Sequence, residues 1–126
     1  MGLVYTNIVL SNPRKTKLKS LEVSAMVDTG AMTLCIPEHL MVQLELEEIE
    51  KREVTTADGK SLVVPYVGPV QIKFANRTCF TGALVLGDSV LMGAVPMEDM
   101  DLVVHPSRRK VTVNPKSPNI PSAVVK

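Results

Sequence analysis

The chain has 126 residues, 45% of them hydrophobic and 21% charged, which fits one globular domain with a real core and excludes a disordered chain. Lysine and arginine number 14 against 13 acidic residues, a net charge of +1, so charge gives no reason to expect a nucleic acid or membrane partner. Four aromatic residues (Tyr5, Tyr66, Phe74 and Phe80) and no tryptophan argue against a base-stacking platform.

Nineteen valines favour strands, because β-branched side chains pack well on a pleated surface. Leu3 to Leu10 reads as the first strand. Asn12-Pro13 opens a turn into the basic stretch Arg14 to Lys19, a solvated hairpin loop. Leu21, Val23, Ala25 and Val27 share one face of a second strand that runs into Asp28. Leu34 to Ile36 is a short apolar segment, and Pro37 suits the first turn of a helix carrying Leu40, Met41 and Leu44 on its apolar side. The polar continuation through Glu50 reads as loop.

Glu53 to Thr56 and Leu62 to Val67 are extended arms joined by Ala57-Asp58-Gly59-Lys60, a hairpin signal. Pro65, Gly68 and Pro69 require the return arm to bend or to lie at an edge. Val70, Ile72 and Phe74 alternate, Ala75-Asn76-Arg77 turns, and Cys79 to Leu86 returns as a strand. Gly87-Asp88 leads into Val90-Leu91-Met92-Gly93, followed by a short helix over Pro96 to Met100. Val103-Val104 and Val111 to Val113 flank a last hairpin turn, Pro106 to Arg109. Residues 1–113 thus read as one domain and 114–126 as a proline-containing tail. An apolar run ending in glycine occurs twice, at Ala25 to Gly30 and at Val90 to Gly93.

Cys35 and Cys79 cannot build a disulfide framework and read as reduced, small hydrophobes. No Cys/His cluster has zinc spacing, and neither a metal nor another cofactor is expected. The N-terminus lacks the pattern of a signal peptide, and no run approaches the roughly 18 apolar residues of a membrane span. The expectation is a soluble cytoplasmic protein.

The clearest chemical clue is Met26-Val27-Asp28-Thr29-Gly30-Ala31. An apolar strand delivers a carboxylate into a tight turn, where aspartate is neither a strand former nor cheap to bury unpaired. Asp28-Thr29-Gly30-Ala31 resembles the active-site turn of the retroviral-type (retropepsin-like) aspartic proteases. The hairpin Thr56-Ala57-Asp58-Gly59-Lys60 lies where that family has its flap. Val90-Leu91-Met92-Gly93 and the helix after it look like the family's second apolar-glycine element. Leu91 to Val113 is also similar to the C-terminal part of prokaryotic retropepsin-like domains, members of clan AA. The flap tip departs from retroviral ones in having a single glycine.

The resemblance implies an all-β fold, a mostly antiparallel closed barrel-like sheet with one or two short helices, and half an active site per chain. It implies a homodimeric aspartic endopeptidase in which Asp28 of each copy activates water to hydrolyse extended polypeptide. Thr29 would hydrogen-bond across the dimer axis, Gly30 would present backbone to substrate, and Ala31 would leave room beside the carboxylates. Thr56 to Lys60 would close over the peptide, and Leu91, Met92 and Gly93 would support the site. Ile36, Val64 and Val95 are expected to contribute an apolar groove. Leu3 to Val9, Val111 to Val113, Ile120 and Ala123 to Val125 are candidate interface strands. Independently of the resemblance, one Asp-Thr-Gly in a chain this short makes a second copy the natural source of a second carboxylate. The alternative is a catalytically silent module of the same fold that holds an extended peptide or partner strand.

Overall fold

Strand alternation becomes pairing from the start of the chain. The computed structural model describes residues 3–125. β1 (Val4–Ser11) pairs antiparallel with β2 (Leu21–Val27), Ile8 opposite Val23. β3 (Leu34–Ile36) leads into the helix α1 (Glu38–Gln43), which begins directly after Pro37. Next come β4 (Glu47–Thr55), β5 (Ser61–Phe74), β6 (Arg77–Val85) and β7 (Val90–Met92), then the helix α2 (Ala94–Asp99). β8 (Leu102–His105) and β9 (Lys110–Val113) form a separate two-stranded sheet.

The main sheet has the order β1-β2-β7-β3-β6-β5-β4, and β1 also pairs with β5. Six strands therefore close on themselves and leave β4 outside as the edge. Most pairings are antiparallel; β2 with β7 and β3 with β6 are parallel. The expected closed, mostly antiparallel β fold with two short helices is the one observed. Its interior holds Ile8, Leu10, Leu34, Ile36, Leu44, Val67, Val70, Ile72 and Met92, all nearly inaccessible to solvent. Alternation explains the selection, since every second side chain of a strand faces inward.

One expectation about the strands needs correction. The stretch through Glu50 is not loop: β4 starts at Glu47 and pairs with β5 from Glu47↔Gly68 to Thr55↔Ser61. Only Val54 on this strand is partly shielded from solvent, so there was no alternation to read. Its charges suit an edge strand, where they discourage unwanted pairing. The return arm bends, as Pro65, Gly68 and Pro69 required. β5 runs unbroken for 14 residues and bends where its register with β6 shifts between Val67 and Val70.

Arg77, assigned to a turn by the sequence, opens β6 and is wholly buried. Its Nε donates to the Met100 carbonyl at 2.8 Å and its Nη2 to the Ser117 carbonyl at 2.6 Å. Asp101 stands 3.9 Å away and accepts hydrogen bonds from the Ser117 hydroxyl, the Ser122 N–H and the Asn114 amide. The tail is therefore pinned to the barrel by a buried cation and a carboxylate.

Candidate active site

Two parallel strands position the site. β2 and β7 run side by side with Ala25 opposite Val90, Met26 opposite Leu91 and Val27 opposite Met92. The two apolar runs ending in glycine are thus in register. Asp28 is the first residue beyond the paired segment, and its N–H donates to the Met92 carbonyl at 3.0 Å. The carboxylate emerges into solvent where the ladder ends.

The turn is organised by this carboxylate. The Gly30 N–H donates to Asp28 Oδ1 at 2.9 Å, and the Ala31 N–H to the Asp28 carbonyl at 3.1 Å. A Cβ on Gly30 would stand 3.1 Å from Asp28 Oδ1. Glycine is needed because its N–H must reach the carboxylate, not for a left-handed backbone: among the described residues the positive-φ glycines are Gly59 and Gly87.

A second layer supports the turn from behind. The N–H groups of Gly93, Ala94 and Val95 donate to the carbonyls of Thr33, Ala31 and Met32 at 3.1, 2.8 and 2.8 Å. The otherwise unpaired N–H groups at the start of α2 are thereby satisfied, and the loop 31–33 is tied to the helix. Met92 and Gly93 are buried beneath it.

A groove of about 640 Å³ opens beside Asp28. Gly30 and Ala31 form one side, Cys35, Leu84 and Leu91 an apolar wall, and Arg52, Val54, Thr56 and Ala57 the side belonging to the β4–β5 hairpin. The hairpin tip is held by Thr56 N–H to Lys60 carbonyl and Gly59 N–H to Thr56 carbonyl bonds, both 2.9 Å. The Asp58 carboxylate accepts from the Thr56 hydroxyl and the Lys60 N–H, and the Thr56 hydroxyl is the main cause of its lowered pKa. Gly59 takes the left-handed conformation the tip requires, φ +84°.

Asp28, Gly30, Ala31, Thr56, Ala57 and Leu91 meet in this groove. Thr29 lines a separate groove on the other side of the turn, with Met97, Leu102 and Val103. Asp58, Gly59 and Lys60 form the hairpin tip outside the groove lining. The expected contributions of Ile36, Val64 and Val95 are not observed: Ile36 and Val64 are buried and Val95 is exposed away from the groove. Alternation is the reason on β3, where Leu34 and Ile36 face the core and Cys35 between them faces the groove. Burial raises the Cys35 thiol pKa. Sequence reasoning missed Cys35, Arg52, Leu84 and Leu86; alternation along Cys79 to Leu86 carried a signal for Leu84 and Leu86. Among the described residues, no three of His, Cys, Asp and Glu converge to hold a metal ion.

A fixed, solvent-facing carboxylate at the end of a groove open to an extended chain can orient water and exchange a proton with a bound amide. The family model described as aspartyl protease matches residues 15–118. The chain belongs to the aspartyl protease family. The matched span includes the Asp28 turn, the hairpin and the second apolar-glycine element, and the resemblance to retropepsin-like proteases is borne out. No curated protein matches the chain. Among solved structures, this aspartyl protease family member is similar to the simian foamy virus (mac) protease in solution. That likeness has 21% identity and a TM-score of 0.44, over 73% of this chain and 93% of that one. It is also similar to a foamy viral protease-reverse transcriptase in complex with double-stranded DNA, at 21% identity and a TM-score of 0.47. There the match covers 72% of this chain and 14% of that one.

Proposed function

We propose that the protein is an aspartic endopeptidase that works as a symmetric homodimer on extended polypeptide, with Asp28 of each copy as the catalytic residue. The observation that carries this reading is the exposed Asp28 carboxylate, held by the Gly30 N–H at the end of a groove. The other carboxylate lining that groove, Glu53, belongs to the hairpin. A two-fold axis beside the turn supplies the second aspartate from the partner copy.

Two carboxylates brought face to face cannot both ionise easily, so they share a proton and titrate as a pair, the general behaviour of aspartic proteases. The ionised member takes a proton from water, whose oxygen attacks the scissile carbonyl carbon. The protonated member gives its proton to the carbonyl oxygen. The tetrahedral intermediate then collapses as the C–N bond breaks and the leaving amine takes a proton from the dyad. The hairpin Thr56 to Lys60 acts as a flap, pairing with the peptide backbone and excluding water.

The free edge of β8 is the proposed dimer contact. β8 pairs with β9 and, among the described residues, with no other strand. Thr29 and Val103 line the same groove beside it. Antiparallel addition of a second β8 completes a four-stranded sheet and brings the two Asp28 turns together.

The test is cleavage of an unfolded protein substrate from acid to neutral pH by wild type and Asp28→Asn, with products identified by mass spectrometry. Cleavage by the wild type that vanishes in a folded Asp28→Asn variant is the expected result. Cleavage retained by the variant overturns the assignment of Asp28, and no cleavage by either at dimerising concentrations favours the peptide-binding module.

A further inference from the structure

A stack of three residues ends at Arg52, which lines the groove. At its base is Gly82 on β6, where a Cβ would lie 2.2 Å from Cζ of Tyr66. The bare backbone of Gly82 is what lets the Tyr66 ring lie against the strand. The Arg52 guanidinium sits over the ring, its carbon 3.6 Å from the ring centroid. This is a close cation–π contact, and it sets the plane of the guanidinium.

Arg52 is further held by Glu50, whose Oε2 accepts from Nε at 2.8 Å. That bond uses one of the five N–H donors of the fork and leaves the terminal nitrogens for another partner. The side chain is 45% exposed and, among the described residues, is the one cation lining the groove. The hydrogen bond to Glu50, then Tyr66, raise its pKa further, so it is charged at every working pH. Val54, Leu84 and Leu91 nearby are apolar, and Glu53 and Thr55 are the polar residues of the same strand as Arg52 that share the lining.

We propose that Arg52 is a specificity-determining residue that selects substrates carrying an aspartate or glutamate where the bound peptide passes β4, beside apolar residues that meet Leu84 and Leu91. A carboxylate accepts two parallel bonds from a guanidinium, and a planar fork already fixed by stacking loses little freedom on pairing. Glu50 holds Nε and leaves this bidentate edge open. The proposal rests on the protease reading and names the substrate class of that same groove.

The experiment is cleavage of a peptide library in which every position is varied, read by mass spectrometry, for wild type, Arg52→Glu, Arg52→Lys and Tyr66→Leu. Within each variant the readout is the ratio of kcat/KM for acidic over uncharged residues at each position. Wild type is expected to favour an acidic residue at one position by roughly tenfold. Arg52→Glu is expected to abolish or invert that ratio, with Arg52→Lys and Tyr66→Leu intermediate because they lose the fork or its support. Thermal melting identifies any variant that fails to fold, and the ratios of the others then decide. Cleavage with no acidic preference, or a preference unchanged in a folded Arg52→Glu, overturns the proposal and leaves the protease reading intact. No cleavage of any peptide by wild type overturns both.

Discussion

The backbone of Gly93 lies so close to Thr33 that a Cβ on the glycine would stand 2.6 Å from the Thr33 carbonyl oxygen. The Gly93 N–H donates to that same oxygen at 3.1 Å. The neighbouring carbonyl of Ala31 and carbon of Met32 would each lie 2.7 Å from the added atom. β7 and the loop after Asp28 are thus joined backbone to backbone, with no space for a side chain.

Gly93→Ala therefore destabilises the fold, by about 2 kcal/mol or more, because backbone rather than a flexible side chain must move. Urea unfolding of the variant checks this. Displacement of residues 31–33 also shifts the Asp28 turn, so the folded fraction of Gly93→Ala loses cleavage more steeply than it loses stability. A variant as stable as wild type would contradict the close approach.

Asp101 makes the attachment of the tail acid-sensitive. The Ser117 hydroxyl above all, then the Ser122 N–H and the Asn114 amide, hold its pKa at about 2, with a smaller contribution from Arg77. The folded state binds this proton less readily than the unfolded chain, whose aspartates titrate near ~3.9. Its stabilising contribution is complete above about pH 4 and is lost as pH falls toward about 2. Asp101→Asn removes that contribution at neutral pH and flattens the acid side of the stability profile. Asparagine suits the site because residue 101 has φ 55°, a conformation Asn tolerates. Unfolding midpoints from pH 2 to 7 for both proteins give the comparison, and parallel profiles would contradict the assignment.

Val103→Asp tests the proposed dimer. On β8, Leu102, Val103 and Val104 all line the groove shared with Thr29, but Leu102 and Val104 also pack against the core and Val103 does not. A carboxylate there is expected to leave the monomer folded and to oppose a second β8 by like-charge repulsion. Sedimentation velocity should show a shift from dimer toward monomer, accompanied by loss of cleavage. An unchanged dimer would move the interface to another strand.

Where the sequence could be read, it was read through local rules. Alternation located β1, β2 and the second half of β5, Asp-Gly located the β4–β5 hairpin, and an apolar strand running into Asp-Thr-Gly located the turn that bears an exposed carboxylate. β4 escaped because a strand exposed on both faces has no period; its place is set by pairing with β5. Arg77 escaped for the opposite reason: a charged residue beside a turn looks solvated until the carbonyls of Met100 and Ser117 arrive from 23 and 40 residues away.

The sequence by itself therefore determined the class of fold and the residues of the Asp28 turn, because strand period and turn chemistry act between near neighbours. The tertiary structure decided which residues share the groove, that Thr29 turns away from it, and that Arg52 is fixed in its wall. Those relations depend on barrel closure, which brings β2, β3, β6 and β7 together, and on the edge strand β4 that β5 carries beside them. Strands distant in the chain meet there through side-chain direction and backbone approach, and neither is written in any local pattern.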